Sequence, residues 1–174
     1  PTLIDAKGLS VLPISSLGLD YPVSTERIST GAERLDAMLD GRGYYRGTSV
    51  LVSGTAGTGK TSLAAAFTQA ACRRGERVLY VALEEAPAQI IRNMASIGYN
   101  LEPWVRRGLL RYHAVRSTLY GLEQHLVSIH KLVNDFEPAV VVIDPVTNLE
   151  SIGDPPEVKA MLTRLIDFLK SKTI

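Results

Sequence analysis

One stretch limits what this chain can fold into more than any other: Gly54-Thr55-Ala56-Gly57-Thr58-Gly59-Lys60-Thr61. It fits the pattern G-x-x-x-x-G-K-[ST], a phosphate-binding loop that needs a strand before it and a helix after it. Ser49-Val50-Leu51-Val52-Ser53 reads as a short buried strand on one side, and Leu63-Ala64-Ala65-Ala66-Phe67 as a helix start on the other. The glycines let backbone N–H groups close around an anion without a Cβ in the way. The following helix adds its unpaired N–H groups and its positive dipole end. Lys60 would reach the β- and γ-phosphates of a nucleotide, and the Thr61 hydroxyl would ligate Mg²⁺. A glycine-rich turn that binds nothing is the plainer alternative, and the flanking strand and helix argue against it.

The rest of the chain supplies the elements such a loop requires. Residues 1–24 have short apolar pairs between Pro13, Ser15-Ser16, Gly18 and Pro22, and read as a linker or the tail of a preceding domain. The domain proper is expected over 25–174. It opens with a short helix over 32–39, with Leu35, Met38 and Leu39 on one face. After the loop, Leu63, Phe67, Ala70 and Ala71 recur at helical spacing up to a stop at Gly75. Residues 77–83 are a nearly all-apolar strand of the kind buried on both faces of a parallel sheet. Pro87 opens a helix with Ile90, Ile91, Met94 and Ile97 inward, and 109–113 form a weaker strand. The helix over 121–136 is the most periodic segment, and 139–144 is a strand ending in an acid. The last helix has Asp154 as N-cap, Pro155 at its first position and Glu157 at capping-box spacing. Strands alternating with helices predict an α/β fold, a mostly parallel sheet flanked by helices and joined by right-handed crossovers.

Composition narrows the function classes. With 174 residues and 45% hydrophobic content there is material for one ordinary core. A net charge of +1, with no charge block, gives no support for a nucleic-acid surface. The single cysteine, Cys72, cannot form an internal disulfide, which fits a reducing, cytoplasmic setting. No apolar run approaches the length of a membrane span. The chain opens on Pro1 and closes on Lys170-Ser171-Lys172-Thr173-Ile174, and reads as a piece of a longer polypeptide with the C-terminal part of the domain missing.

Two groups of acids complete the constellation. Asp144 ends a β-branched strand in the Walker-B manner, where a carboxylate would hold Mg²⁺ on the side opposite Thr61. Glu84-Glu85 follows the other apolar strand, at the sheet edge where open parallel sheets bind ligands. A carboxylate there could deprotonate or polarise the water or hydroxyl attacking a γ-phosphate. Spacing alone leaves that role level with a second reading, two solvated acids opening the Pro87 helix.

Taken together, several motifs resemble the KaiC family of circadian clock proteins, a branch of the RecA-like P-loop ATPases. They are Ile28-Ser29-Thr30-Gly31 with Leu35-Asp36, the GTAGTGKT loop, Leu83-Glu84-Glu85-Ala86-Pro87-Ala88-Gln89 with Arg92-Asn93, and Val141-Val142-Ile143-Asp144-Pro145. The resemblance covers about residues 25 to 172 and implies an ATP-binding domain, usually one of two tandem copies, in hexameric rings with ATP between subunits. By the resemblance this is the second copy. Ala56, Gly57, Thr58, Gly59, Lys60, Thr61 and Ser62 would contact the phosphates, and Thr61 and Asp144 would hold Mg²⁺. Glu84 would be the catalytic carboxylate, with Glu85 its helper and Lys60 acting on the transferring phosphoryl group. Hydrolysis in that family is slow, and the second copy of clock KaiC phosphorylates its own Ser and Thr residues. The chain stops before the region holding that Ser/Thr pair, so the resemblance does not assign a phosphoacceptor here, and regulatory protein partners are not named by it either.

Two other classes compete. A RecA-like ATPase of DNA recombination or replication would need a basic or aromatic loop that these residues lack. A nucleotide-gated scaffold without turnover would not need the full set of Lys60, Thr61, Glu84 and Asp144. His113, His125 and His130 have no metal-binding spacing and read as structural, and Trp104 as a packing residue.

Overall fold

A computed structural model of the chain describes residues 2–5, 8–11 and 23–174. The chain begins with an antiparallel ribbon of β1 (Thr2–Asp5) and β2 (Gly8–Val11). A second, two-residue ribbon pairs β3 (Arg27–Ile28) with β4 (Tyr44–Tyr45), on either side of α1 (Glu33–Met38). The α/β body follows as α2 (Lys60–Arg73), β5 (Val78–Ala82), α3 (Pro87–Ala95), α4 (Glu102–Arg106), β6 (Leu110–Ala114), α5 (Leu122–Phe136), β7 (Val140–Asp144) and α6 (Pro155–Ser171). Short 3-10 turns at Ser117–Leu119 and Val146–Ser151 sit after β6 and β7. The tail expected over residues 1–24 carries the first ribbon, which its aperiodic sequence does not announce. The remainder of that expectation lies outside the described residues.

β5 is the centre of a three-stranded parallel sheet of order β6-β5-β7. All five of its residues are buried, as an apolar strand covered on both faces should be. Alternation along the strand sends its side chains into two separate cores. Val78, Tyr80 and Ala82 pack with Ala65, Ala71 and Cys72 of α2 and Ile90 and Met94 of α3. Leu79, Val81 and Leu83 pack with Leu126, Ile129 and Val133 of α5 and Val158, Met161 and Leu165 of α6. β7 divides the same way: Val140 and Val142 belong to the α2 side, Val141 and Ile143 to the other. By that parity Asp144 lies on the α2 side, at the C-terminal end of the sheet. This is the expected α/β architecture, a parallel sheet flanked by helices.

The segment 26–46 is held to the far end of α2. Arg46 bridges Glu26 and Glu76, and Arg74 pairs with Glu76 and donates to the Ser29 carbonyl. Gly31, at φ +80°, lies so close to α2 that a Cβ would stand 2.2 Å from the Ala66 carbonyl oxygen. Asp36 orders the preceding residues by accepting from the Ser29 hydroxyl at 2.5 Å and the Thr30 N–H at 2.8 Å.

Several sequence expectations are corrected. Residues 49–53, read as the buried strand leading into the loop, join no ladder, and Leu51 is 80% exposed. An apolar run becomes a strand only when another strand pairs with it, and none of the described strands does. β7 correspondingly pairs with β5 alone, and four of its five residues are only part-buried. Ile97, expected inward, is exposed, and so are Met38 and Leu63, which the apolar spacing puts in line with their helices' other apolar residues. Met38 and Ile97 sit at or beyond helix ends, past the layer each helix covers. Of the histidines, the buried His125 ring places Nε2 2.9 Å from the Ser117 carbonyl oxygen, His130 stacks on Phe168, and His113 lies part-buried in β6. Trp104 packs at the edge of the α2-side core. None of the described helices is long and apolar enough to cross a membrane.

Candidate nucleotide-binding site

The loop before α2 leaves the start of that helix open. Gly57 and Gly59 both hold positive φ, +81° and +89°, and Gly59 is the N-cap of α2 in the left-handed region that L-residues avoid. No side chain caps this helix and no acid occupies its first turn. A 14-residue helix thus ends in free N–H groups and an uncompensated positive dipole end. Such an end is a ready site for phosphate. Ala56, Gly57 and Thr58 are exposed around it, and Thr61 and Ser62 occupy the first helical turn, part-buried.

The loop is tied chiefly to itself. The Lys60 ammonium donates to the carbonyls of Gly54 and Thr55, both at 2.8 Å, and the Thr58 hydroxyl donates to Thr55 at 2.9 Å. Phosphate oxygens would offer that ammonium stronger, charged acceptors.

The acids stand on neighbouring strand ends. Ala82 of β5 is level with Asp144 of β7, and the Leu83 N–H donates to the Asp144 carbonyl at 2.9 Å. Asn148, in the turn after β7, donates its side-chain amide to the Leu83 carbonyl at 3.2 Å. Glu84 therefore follows immediately on a position bonded to the Asp144 backbone. Glu84 and Glu85 are both exposed, while Asp144 is part-buried. α2 packs over β5 and β7, so these strands and the loop-bearing helix share one face.

Tyr80 is a member of this group that sequence reasoning missed. Its phenol donates to Asp144 Oδ2 at 2.7 Å, and its side chain is fully buried. Burial first, then the Asp144 charge and the hydrogen bond itself, push the phenol far above its ordinary range and keep it a donor. The available signal was a lone hydroxyl in an otherwise aliphatic central strand. A buried hydroxyl needs a partner.

Residues 28–174 match the family model described as "ATPase: KaiC". The chain belongs to the KaiC ATPase family. Among curated relatives, the circadian clock protein KaiC2 of Synechocystis sp. is 55% identical over 174 residues, all of this chain and 31% of that protein. The circadian clock protein KaiC3 of the same organism is 32% identical over 99% of the chain and 34% of its own length. The circadian clock oscillator protein KaiC of Picosynechococcus sp. is 38% identical over 86% of the chain and 29% of its length. The chain thus spans about a third of the length of these relatives. Its RecA-like KaiC domain carries a glycine-rich loop before α2 and acids at the ends of β5 and β7. The residues suit the Mg²⁺ that accompanies nucleotide in such sites. The Thr61 hydroxyl and the Asp144 carboxylate are hard oxygen donors, the kind this ion takes when phosphates and waters complete its shell.

Proposed function

We propose that this domain binds ATP at Ala56, Gly57, Thr58, Gly59, Lys60, Thr61 and Ser62 and hydrolyses it slowly. The observation that carries the reading is the α2 N-terminus: uncapped, free of acids, and preceded by glycines whose backbone leaves its N–H groups open. The loop amides and Lys60 bind the phosphates and hold the γ-group in place. Thr61 and Asp144 would hold Mg²⁺, which would supply positive charge to offset the negative charge of the phosphates. Glu84 orients the attacking water and accepts its proton, and Glu85, one residue further on, assists it. The exposed positions of both glutamates support that reading, since a water must reach them.

We further propose that this domain belongs to a longer protein that assembles as a homo-oligomeric, hexameric ring in the cytoplasm and phosphorylates its own Ser or Thr residues, as the family resemblance implies. An arginine supplied by a neighbouring subunit is worth roughly 10³–10⁵ in rate, so ring assembly would set the turnover. The test uses the full-length protein with Mg²⁺ and γ-labelled ATP. Free labelled phosphate is expected, and Glu84→Gln should lower its release roughly 10²–10⁴-fold with nucleotide affinity retained. Unchanged release would remove Glu84 from the chemistry. Label in the protein identifies an autokinase; unlabelled protein with free phosphate leaves an ATPase alone.

A further inference from the structure

We infer that Tyr80 is a positioning residue: its phenol fixes the Asp144 carboxylate in the orientation that receives a divalent cation. The inference rests on the nucleotide-site reading above. It starts from strand parity. Tyr80 points to the α2 face and lies one same-face position below Ala82, which is level with Asp144. A long side chain leaning along the strand reaches the carboxylate, and the phenol meets Oδ2 at 2.7 Å.

The rest of β5 is Val, Leu, Val and Ala, so the core there asks only for apolar volume. A Phe would fill the space. The hydroxyl adds a group that is costly to bury without a partner, and its partner is Asp144, the acid that ends the neighbouring strand β7. The ring itself is wedged: it is fully buried and tilts against Tyr112 with centroids 5.2 Å apart. A fixed ring gives a fixed hydroxyl. A neutral donor also suits the task. Lys or Arg in its place would pair with the carboxylate and compete with a cation for its charge, whereas a phenol restrains Oδ2 and leaves the negative charge in place. Restraining a ligand before the ion arrives is how surrounding residues raise metal affinity.

The test is Mn²⁺ uptake by the full-length protein in the presence of ADP, followed by electron paramagnetic resonance, with Mn²⁺ as the spectroscopic stand-in for Mg²⁺. Tyr80→Phe is expected to weaken Mn²⁺ binding roughly 3- to 10-fold. ADP affinity without metal should stay as in the wild type, and thermal unfolding should be little changed because the ring is kept. Tyr112→Phe, which removes a neighbouring hydroxyl that does not bond Asp144, should leave Mn²⁺ binding unaltered. Combined with Asp144→Asn, Tyr80→Phe should add nothing further. Full Mn²⁺ affinity in Tyr80→Phe, beside a loss in Asp144→Asn, overturns the role of Tyr80 alone; so do additive effects in the double variant. No Mn²⁺ uptake with ADP by the wild type overturns the nucleotide-site reading, and this role with it.

Discussion

Lys60 makes two hydrogen bonds that it must surrender to do anything else. Its ammonium closes the loop on the Gly54 and Thr55 carbonyls, so phosphate binding is an exchange of partners. Lys60→Ala should therefore act in both states. Nucleotide affinity should fall roughly 10- to 100-fold, the worth of a hydrogen bond to a charged group, as read by calorimetric titration. In the nucleotide-free protein, amide exchange over residues 54–59 should quicken. Residue-level chemistry of this kind was legible in the sequence because the loop motif fixes types at close spacing. Tyr80 was not legible, since its bond to Asp144 joins residues 64 positions apart across a strand pair.

Elements differ in how far local sequence describes them. The start of α6 needed only four residues. Asp154 accepts from the Glu157 N–H at 3.0 Å, Glu157 reaches back, and Pro155 occupies the first position, all as the sequence predicts. A helix's inward face is another matter, because its extent depends on what lies opposite; Met38 and Ile97 have the right spacing and no cover. Between α5 and α6 the His130 ring stacks on Phe168 with centroids 3.6 Å apart. Burial, then the charges of Arg164 and Lys172, hold the His130 pKa at about 4 against an ordinary 6.5. Folded protein keeps the ring neutral where unfolded chain takes up a proton. The unfolded state thus binds more protons between those two values, and stability falls as pH drops from about 6.5 toward 4. Urea midpoints measured across that window should decline in the wild type. His130→Phe should decline less steeply, and His113, also lowered by burial, acts in the same direction.

At the scale of the whole molecule, both edges of the three-stranded sheet, β6 and β7, are open among the described residues. β7 pairs only with β5, and Val50, Leu51 and Val52 lie exposed without a strand partner among the described residues. An open edge and an exposed apolar run each invite contact with another chain. The 174-residue chain alone should self-associate with rising concentration in sedimentation velocity, and Leu51→Lys should shift it toward monomer. Here the alternation of strands and helices gave the architecture in advance, whereas the pairing of 49–53 could not be read from its own residues. A strand is a relation between two segments. The site inherits the same division. On one side the ends of β5 and β7, next to the acids, are tied to each other through Leu83, Asn148 and the Asp144 backbone. On the other, the phosphate loop is fastened mainly to itself. The contrast is that of a vice with one jaw bolted to the bench: the strand ends hold each other, and the bonds a bound phosphate would have to exchange are all in the loop.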